Sequence, residues 1–346
     1  MSEATATPRA RSLFRKLANT HQSMKHLDSD IHLHTPHTFY RCLLASVIVA
    51  AIGCSGSARL VPVQGFSSQH GAQHPLVGSV FRGATREQVS REVLFSALGA
   101  TRYVVLGETH DNRDHHELQA QLLQRFLAAQ DGAAVAFEML DEDDTSALTA
   151  QSTDELAQRV EWAKSGWPAI DFYKPVFDVA FGAHARIVAA HPSAEHVRAS
   201  MQGVDEAEAR DLRIDTPLPE AQIQAQYEEI RDSHCGHAND HMLTAMQRAQ
   251  VYKDAFMARA VSRTNVPTAL IAGRGHARND RAVPYFLKRL QAGNTLSIAF
   301  IEVADDRLDA SPYDTTAFDY VIFTPRASNE DPCEKFRQQL EQMQGR

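Results

Sequence analysis

The stretch Tyr103-Val104-Val105-Leu106-Gly107-Glu108-Thr109-His110 decides the fold of this chain. Its first four residues are apolar and predict a buried strand, and the helical pattern from 114 to 130 predicts a helix directly after it. A strand that ends in a carboxylate and an imidazole, just before a helix, is typical of the carboxyl edge of an α/β sheet. Ligand sites in such folds lie at that edge.

Two further predicted strands end in the same way. The apolar run 133–137 leads into a glutamate, and the run 268–272 leads through Gly273-Arg274-Gly275 into a histidine. The carboxyl ends of parallel strands meet at one edge of a sheet. We therefore expect two carboxylates and two imidazoles to converge there, namely Glu108, His110, Glu138 and His276.

The alternation of strands and helices predicts an α/β fold with a mostly parallel central sheet flanked by helices. With 346 residues, 43% of them hydrophobic, the chain is long enough for one large domain. We place this domain at 81–330, with a smaller helical subdomain inserted at about 141–240 and a C-terminal helix at 331–346. A helix capped by Thr85 and running to Leu98, and an acidic helix over 141–164, are also predicted.

Residues 1–53 are interpreted as a signal peptide or leader. A basic residue, Arg41, precedes an apolar run that is too short to span a membrane comfortably and ends in small residues before Cys54. This pattern resembles a bacterial lipobox and predicts lipidation of Cys54, with Met1 or Met24 as the start. Ser55 favours the outer membrane. Residues 54–80, rich in Ser, Gly, Gln and Pro, are predicted to tether the anchor to the domain.

Two cysteines are left once the leader and the lipidated residue are set aside. In an oxidising compartment Cys235 and Cys333 would form a disulfide. The alternative is a pair of free thiols, because the sequence does not supply the distance between them. The formal charge of -8 and the lack of a basic patch in the domain argue against nucleic acid as a partner.

The acidic and histidine residues at the strand ends are compatible with three different roles. They suit a divalent metal ion held by nitrogen and oxygen ligands with room for water. They equally suit general acid–base chemistry, in which one carboxylate has its pKa raised by its neighbour. The third interpretation is structural: Glu108 or Asp111 would satisfy the free N–H groups of the 114–130 helix.

Other polar and glycine residues near the strand ends receive simpler interpretations. His115 and His116 start a helix and are expected to face water. Gly273 and Gly275 are expected to allow a tight turn that lets the backbone approach a ligand, since the spacing of a dinucleotide fingerprint is missing. The chain has no Gly-x-Ser-x-Gly elbow, which argues against a serine hydrolase.

Aromatic residues cluster at 162–177, and methionines recur on the predicted helix 238–261. Trp167, Phe172, Tyr173 and Phe177 would suit a pocket for a flat apolar cofactor such as haem, whose iron takes histidine, methionine or tyrosinate as ligand. The alternative interpretation of these side chains is core packing.

An ordered set of short motifs resembles the ChaN-like haem-binding lipoproteins, in the superfamily that also contains the TIKI proteases, TraB and erythromycin esterases. The motifs span about residues 75–325. They are Leu106-Gly107-Glu108-Thr109-His110-Asp111-Asn112 with His116 and Gln119, Phe137-Glu138-Met139, Ser165-Gly166-Trp167-Pro168, Tyr173-Lys174-Pro175, Ala249-Gln250, Asp254-Ala255-Phe256-Met257-Ala258, and Ile271-Ala272-Gly273-Arg274-Gly275-His276-Ala277-Arg278-Asn279-Asp280 with Val283-Pro284.

The resemblance implies a lipid-anchored, periplasm-facing protein that binds haem for haem or iron uptake, with an outer-membrane haem receptor as a further partner. It also implies a homodimer that holds haem between its subunits, with a tyrosine on the iron. Tyr173 is the tyrosine that lies in a matching motif, and Trp167 is the accompanying aromatic residue. Asn112, His116, Gly273 and Gly275 are implied as supporting residues. Enzymes of the superfamily use the matching Glu/His positions, so a metal-dependent hydrolase is the alternative to a binding protein.

Overall fold

A computed structural model of the chain describes residues 59–331 together with 333, 334 and 337. The predicted leader and the lipidation site Cys54 lie outside the described residues, as does most of the predicted C-terminal helix. In the described part, eight strands form one sheet in the order β2-β1-β8-β7-β3-β6-β4-β5. They are Val80–Arg82 (β1), Glu87–Val89 (β2), Tyr103–Glu108 (β3), Ala134–Asp141 (β4), Arg186–His191 (β5), Thr268–Gly273 (β6), Thr295–Glu302 (β7) and Tyr320–Thr324 (β8).

The described part of the chain also contains nine α-helices, which cover both faces of the sheet. They are Arg91–Ala100 (α1), Arg113–Ala129 (α2), Thr153–Arg159 (α3), Ile170–Gly182 (α4), Ala194–Gln202 (α5), Glu206–Leu212 (α6), Glu220–Ser233 (α7), Asp240–Ser262 (α8) and Val283–Arg289 (α9). Short 3₁₀ turns occupy Glu142–Thr149, Trp162–Lys164 and Arg274–Ala277. Two large apolar cores lie on the two sides of the sheet.

The predicted fold class is confirmed. Strands β5, β4, β6, β3, β7 and β8 are parallel neighbours, and only β1 pairs antiparallel, with β2 and β8. Every residue of β3 and β6 is buried, which explains why these strands are continuous apolar runs rather than alternating ones. The predicted strands at 103–106, 133–137 and 268–272 all exist, with small shifts at their ends.

Several predicted helices differ from the structure. The helix expected from Thr85 begins only at Arg91, because 87–89 pairs with β1 as a short strand and Ser90 becomes the N-cap residue. The acidic helix expected over 141–164 is broken into two 3₁₀ turns and the short helix α3. Helix α4 was not predicted, because its aromatic residues were interpreted as a pocket.

Two domain boundaries also differ from the sequence prediction. The stretch 54–80 does not behave as a tether from residue 59 onward, because Leu60 and Val77 are buried and Ser67 donates two hydrogen bonds to Asp114. The insertion at about 141–240 is not purely helical, because it contains β5, which is a strand of the central sheet.

The two cysteines predicted to pair lie at bonding distance. Cys235 and Cys333 are joined in the structure, with their Cα atoms 5.5 Å apart and 98 residues between them in sequence. Within the described residues, no helix is both long enough and apolar enough to cross a membrane.

Candidate functional site

The parallel strands bring the predicted cluster together at one edge of the sheet. Strands β3 and β6 are neighbours in register, so that Glu108 lies opposite Gly273. Glu138 lies on β4, the other neighbour of β6, and His276 follows β6 in its 3₁₀ turn. Buried strands therefore fix the backbone positions of Glu108 and Glu138, whereas His110 and His276 lie just beyond the ends of β3 and β6.

The first half of the site is a carboxylate–imidazole pair. His110 Nδ1 lies 2.6 Å from Glu108 Oε1, while Glu108 is almost fully buried. Burial opposes protonation of His110, but the hydrogen bond and the charge of Glu108 outweigh it and raise the pKa of the imidazole. The second carboxylate oxygen, Glu108 Oε2, is buried and has no hydrogen-bond partner among the described residues.

The second half is a chain of three buried groups. His276 Nδ1 lies 2.7 Å from Asp254 Oδ1, and its Nε2 lies 3.2 Å from Glu138 Oε1. Burial alone would lower the pKa of His276, but the charges of Glu138 and Asp254 raise it to about 10. Despite its burial, Glu138 has its pKa lowered by His276 and by the backbone N–H of Gly273. This imidazole is therefore protonated at neutral pH between two carboxyl groups.

Gly273 lies between the two halves and has a specific steric role. Its N–H donates to Glu138 Oε2 over 2.7 Å. A Cβ at this position would lie 3.0 Å from His110 Nε2, so the absence of a side chain leaves that nitrogen uncovered. The predicted close approach of the backbone is thus seen at Gly273, whereas a Cβ at Gly275 would meet only open space.

Helix capping does not account for these residues. The N-cap of α2 is Asn112, whose Oδ1 accepts from the N–H groups of Asp114 and His115. Its Nδ2 donates to Glu302 Oε1 and to the Pro325 carbonyl. Asn112 is therefore a structural residue that joins α2 to β7, and Glu108 is free for the site.

The expectation that the histidines at the start of α2 face water is wrong. Both are fully buried, since each finds polar partners inside the protein. His115 Nδ1 accepts from the Thr109 N–H, and its Nε2 lies 2.7 Å from Thr324 Oγ1. His116 contacts the His110 carbonyl and the side chain of Gln119. Burial lowers the pKa of both imidazoles, so they support the site as neutral rings.

The two residues expected to bind haem have different positions. Trp167 is half-buried, and its ring lies edge-on to the ring of His110, with the centroids 4.9 Å apart. Tyr173 is fully buried on α4 against His116, with its hydroxyl 3.5 Å from His110 Nδ1. Burial, followed by the charges of Glu108 and Glu138, raises the pKa of Tyr173. The phenol of Tyr173 is therefore buried and harder to ionise than a free tyrosine, and tyrosinate ligation at this position stays a prediction.

A divalent metal site receives no support from the geometry. No group of three or more His, Cys, Asp or Glu side chains is placed to hold a metal ion in the part of the chain that the structure describes. Glu108 Oε1 is hydrogen-bonded to His110 Nδ1, and Glu138 Oε1 lies 3.2 Å from His276 Nε2, so these atoms face each other within each pair. The cluster exists as predicted, but as two acid–base pairs.

A cleft of about 350 Å³ opens beside the cluster. Strand ends and the turn 273–276 form one wall, and α7 forms the opposite wall. Its lining mixes polar side chains with Ile230, Ala282 and two glycines, and it contains no Phe, Tyr or Trp among the described residues. Phe172 lies elsewhere, near His116 and Arg113. The aromatic wall expected around a flat cofactor is therefore reduced to Trp167, on the other side of His110.

Two residues of this site were not assigned a role from the sequence. Asp254 and Gln250 lie one turn apart on α8, and both line the cleft. Gln250 Oε1 is buried without a hydrogen-bond partner among the described residues. The spacing of four on a helix that carries mostly apolar residues was the available signal, since it places both polar side chains on one face.

The pKa of His276 gives a prediction for stability against pH. A histidine whose pKa is raised on folding stabilises the protein fully below its unfolded pKa of about 6.5, and this contribution is lost as pH rises toward 10. We expect the free energy of unfolding to fall by up to about 1.4 kcal/mol per pH unit over this range because of His276. Denaturant titrations at several pH values should show that the free energy of unfolding falls less steeply with pH in His276→Gln than in the wild type. The same pH dependence in the two proteins would contradict the ion pair.

The fold and the site define an α/β protein that carries two carboxylate–imidazole pairs at the carboxyl edge of its sheet. A family profile described as "Haem-binding uptake, Tiki superfamily, ChaN" matches residues 94–287, which is more than half of the chain. The chain therefore belongs to this family. Comparison with curated protein sequences finds no match.

Comparison with solved structures finds chains that are similar to this one. The structure titled as cofacial haem binding to ChaN of Campylobacter jejuni has a TM-score of 0.56 and 18% identity, over 70% of this chain and 94% of that one. An erythromycin esterase, EreC, in its open conformation has a TM-score of 0.41 and 12% identity, over 74% of this chain and 99% of that one. The type III effector HopBA1 has a TM-score of 0.40 and 14% identity, over 72% and 98%. At these identities the ChaN likeness shows the fold.

Proposed function

We propose that this protein binds haem for haem or iron uptake, and that His110 is the side chain that holds the iron. Membership of the haem-binding uptake family supports the ligand class. The observation that carries the choice of residue is the partly exposed imidazole of His110, whose Nδ1 is held by Glu108. A histidine that binds a metal ion typically donates its other ring N–H to a carboxylate, which fixes the tautomer and makes the free nitrogen more basic.

The surroundings of His110 fit this role in two further ways. Its Nε2 has no hydrogen-bond partner among the described residues, and Gly273 leaves the space beside it free of a side chain. Trp167 supplies an aromatic ring next to the imidazole, against which a planar macrocycle can pack. When bound, haem would supply the iron as a coordination site, while Glu108 orients the imidazole of His110.

A haem titration tests this function. Adding haemin to the purified full-length chain should produce a saturable Soret band at a fixed ratio of haem to protein. A spectrum that grows without saturation, as for haem adsorbed to an unrelated protein, would contradict specific binding.

The cellular setting belongs to the same proposal. The Arg41-to-Cys54 pattern supports export and lipidation at Cys54, with the domain anchored in the outer membrane and facing the periplasm. The Cys235–Cys333 bond is consistent with an oxidising compartment. In this setting a homodimer would form on haem binding, and an outer-membrane haem receptor would supply the haem.

A hydrolase is the second candidate, favoured by the acid–base character of the cluster. His276 is held protonated between Glu138 and Asp254 and would serve as a general acid. His110, backed by Glu108, would serve as the base toward a water molecule. The buried, unpaired Glu108 Oε2 and the polar cleft are what a water-binding site requires. This function needs the same residues, but with a small polar substrate in place of haem.

A further inference from the structure

One face of α7 forms a wall of the cleft. The four α7 residues that line it are spaced three, one and three apart, which places them on a single side of the helix. They are Gln226, Glu229, Ile230 and Ser233. The opposite wall contains His110 and His276, so this face of α7 lies across the cleft from the two imidazoles.

The contacts between α7 and the rest of the domain are few and mostly polar. Arg281, which is buried at the base of α9, donates to Glu229 Oε2 over 2.5 Å and to Gln222 Oε1 over 3.3 Å. Gln247 on α8 donates to Gln226 over 3.1 Å. The apolar contacts of the helix are a small cluster around Ile230, which is separate from the two large cores, and Ile223, which packs against one of those cores. A helix in which only Gln226 and Ile230 are buried belongs to the part of a protein that opens most easily.

A covalent bond compensates for this weak packing. Cys235 lies two residues beyond the end of α7, in the turn to α8, and is bonded to Cys333 in the C-terminal segment. The bond ties the end of α7 to a part of the chain 98 residues away. Such a link restricts how far the helix can move from the cleft without adding to its packing.

We propose that α7 is a lid over the site, latched by Arg281 and clamped by the Cys235–Cys333 bond. The cleft of about 350 Å³ is at the lower end of the range for small-ligand pockets, which is about 300–1,000 Å³. A tetrapyrrole is large for such a space, so the lid must lift for haem to enter the cleft beside His110. This last step rests on the proposed haem function, whereas the lid itself does not.

Hydrogen exchange tests the clamp without any ligand. In the double variant Cys235→Ser, Cys333→Ser of the full-length chain, amides of α7 should exchange faster by on the order of tenfold or more, since the restraint on opening is lost. Amides of the buried strand β3 should exchange as in the wild type. Unchanged exchange in α7, or equally increased exchange throughout the domain, would overturn the clamp.

Rapid mixing with haemin tests whether α7 limits the entry of haem into the cleft. Glu229→Gln removes the charge that Arg281 holds, whereas Glu228→Gln makes the same change at an exposed neighbour on α7 for which no partner is seen among the described residues. The rate of haemin association should rise several-fold in Glu229→Gln and in the double serine variant, but not in Glu228→Gln. Equal rates in all proteins would overturn the lid as a gate. A wild type that does not bind haemin would instead refute the haem function and leave the exchange result as the test of the lid.

Discussion

Replacing Gly107 by alanine should destabilise the protein more than any other single added methyl group at this edge of the sheet. A Cβ on Gly107 would lie 2.6 Å from the Ala277 Cβ and 2.9 Å from the Arg274 Cα, both in the turn that carries His276. The Ala277 side chain is fully buried and the Arg274 Cα belongs to the backbone, so these atoms cannot move aside cheaply. Overpacking of this kind typically costs about 1–3 kcal/mol and occasionally more.

The measurement for Gly107→Ala is the free energy of unfolding by denaturant, with Gly275→Ala as the matched control. Gly275 lies in the same turn, and a Cβ there would meet nothing within 4 Å. We expect the control to stay within about 0.5 kcal/mol of the wild type, as for most exposed substitutions. A Gly107→Ala protein as stable as this control would show that strand β3 and the turn do not approach as closely as described.

Replacing His110 by alanine should have the largest effect on haem binding. Loss of a residue that only supports a metal ligand typically costs about 10–100-fold in metal affinity, and we expect Glu108→Gln to fall in this range. His110→Ala removes the proposed ligand itself, so its loss of haem affinity should exceed that of Glu108→Gln. Soret titrations of the three proteins measure this order.

Tyr173→Phe is the discriminating control for His110→Ala. The Tyr173 hydroxyl is buried and its pKa is raised, so its removal should leave the haem spectrum unchanged in the position of the Soret band. If Tyr173→Phe abolishes the band while His110→Ala retains it, the tyrosine implied by the family resemblance is the ligand, and binding requires a rearrangement of α4.

The strands and the convergence of the site could be predicted because they depend on local patterns. Buried parallel strands are continuous apolar runs, and the polar residue at the end of each run marks the carboxyl edge. Glu108, Glu138 and His276 followed from this rule alone. The register that places Glu108 opposite Gly273 then arises from the pairing of β3 with β6, which the sequence does not encode in any short segment.

The remaining features depend on contacts between distant segments. His116 lies at the start of a helix and was expected in water, but α4 covers it. Asp254 joins the site only because α8 packs beside the turn of His276. Tyr173 was selected from a motif, and its burial follows from the helix α4 that was not foreseen. In each case a tertiary contact, rather than a local pattern, decides whether a polar group is accessible.

Resonance Raman spectroscopy of the haem-bound protein tests the central claim most directly, because it identifies the atom bonded to iron. The proposed coordination predicts an iron–histidine stretching band in the ferrous protein that shifts when histidine is labelled with nitrogen-15. The same band should be absent in His110→Ala and present in Tyr173→Phe. An iron–tyrosinate signature in the ferric protein, insensitive to histidine labelling, would contradict coordination by His110.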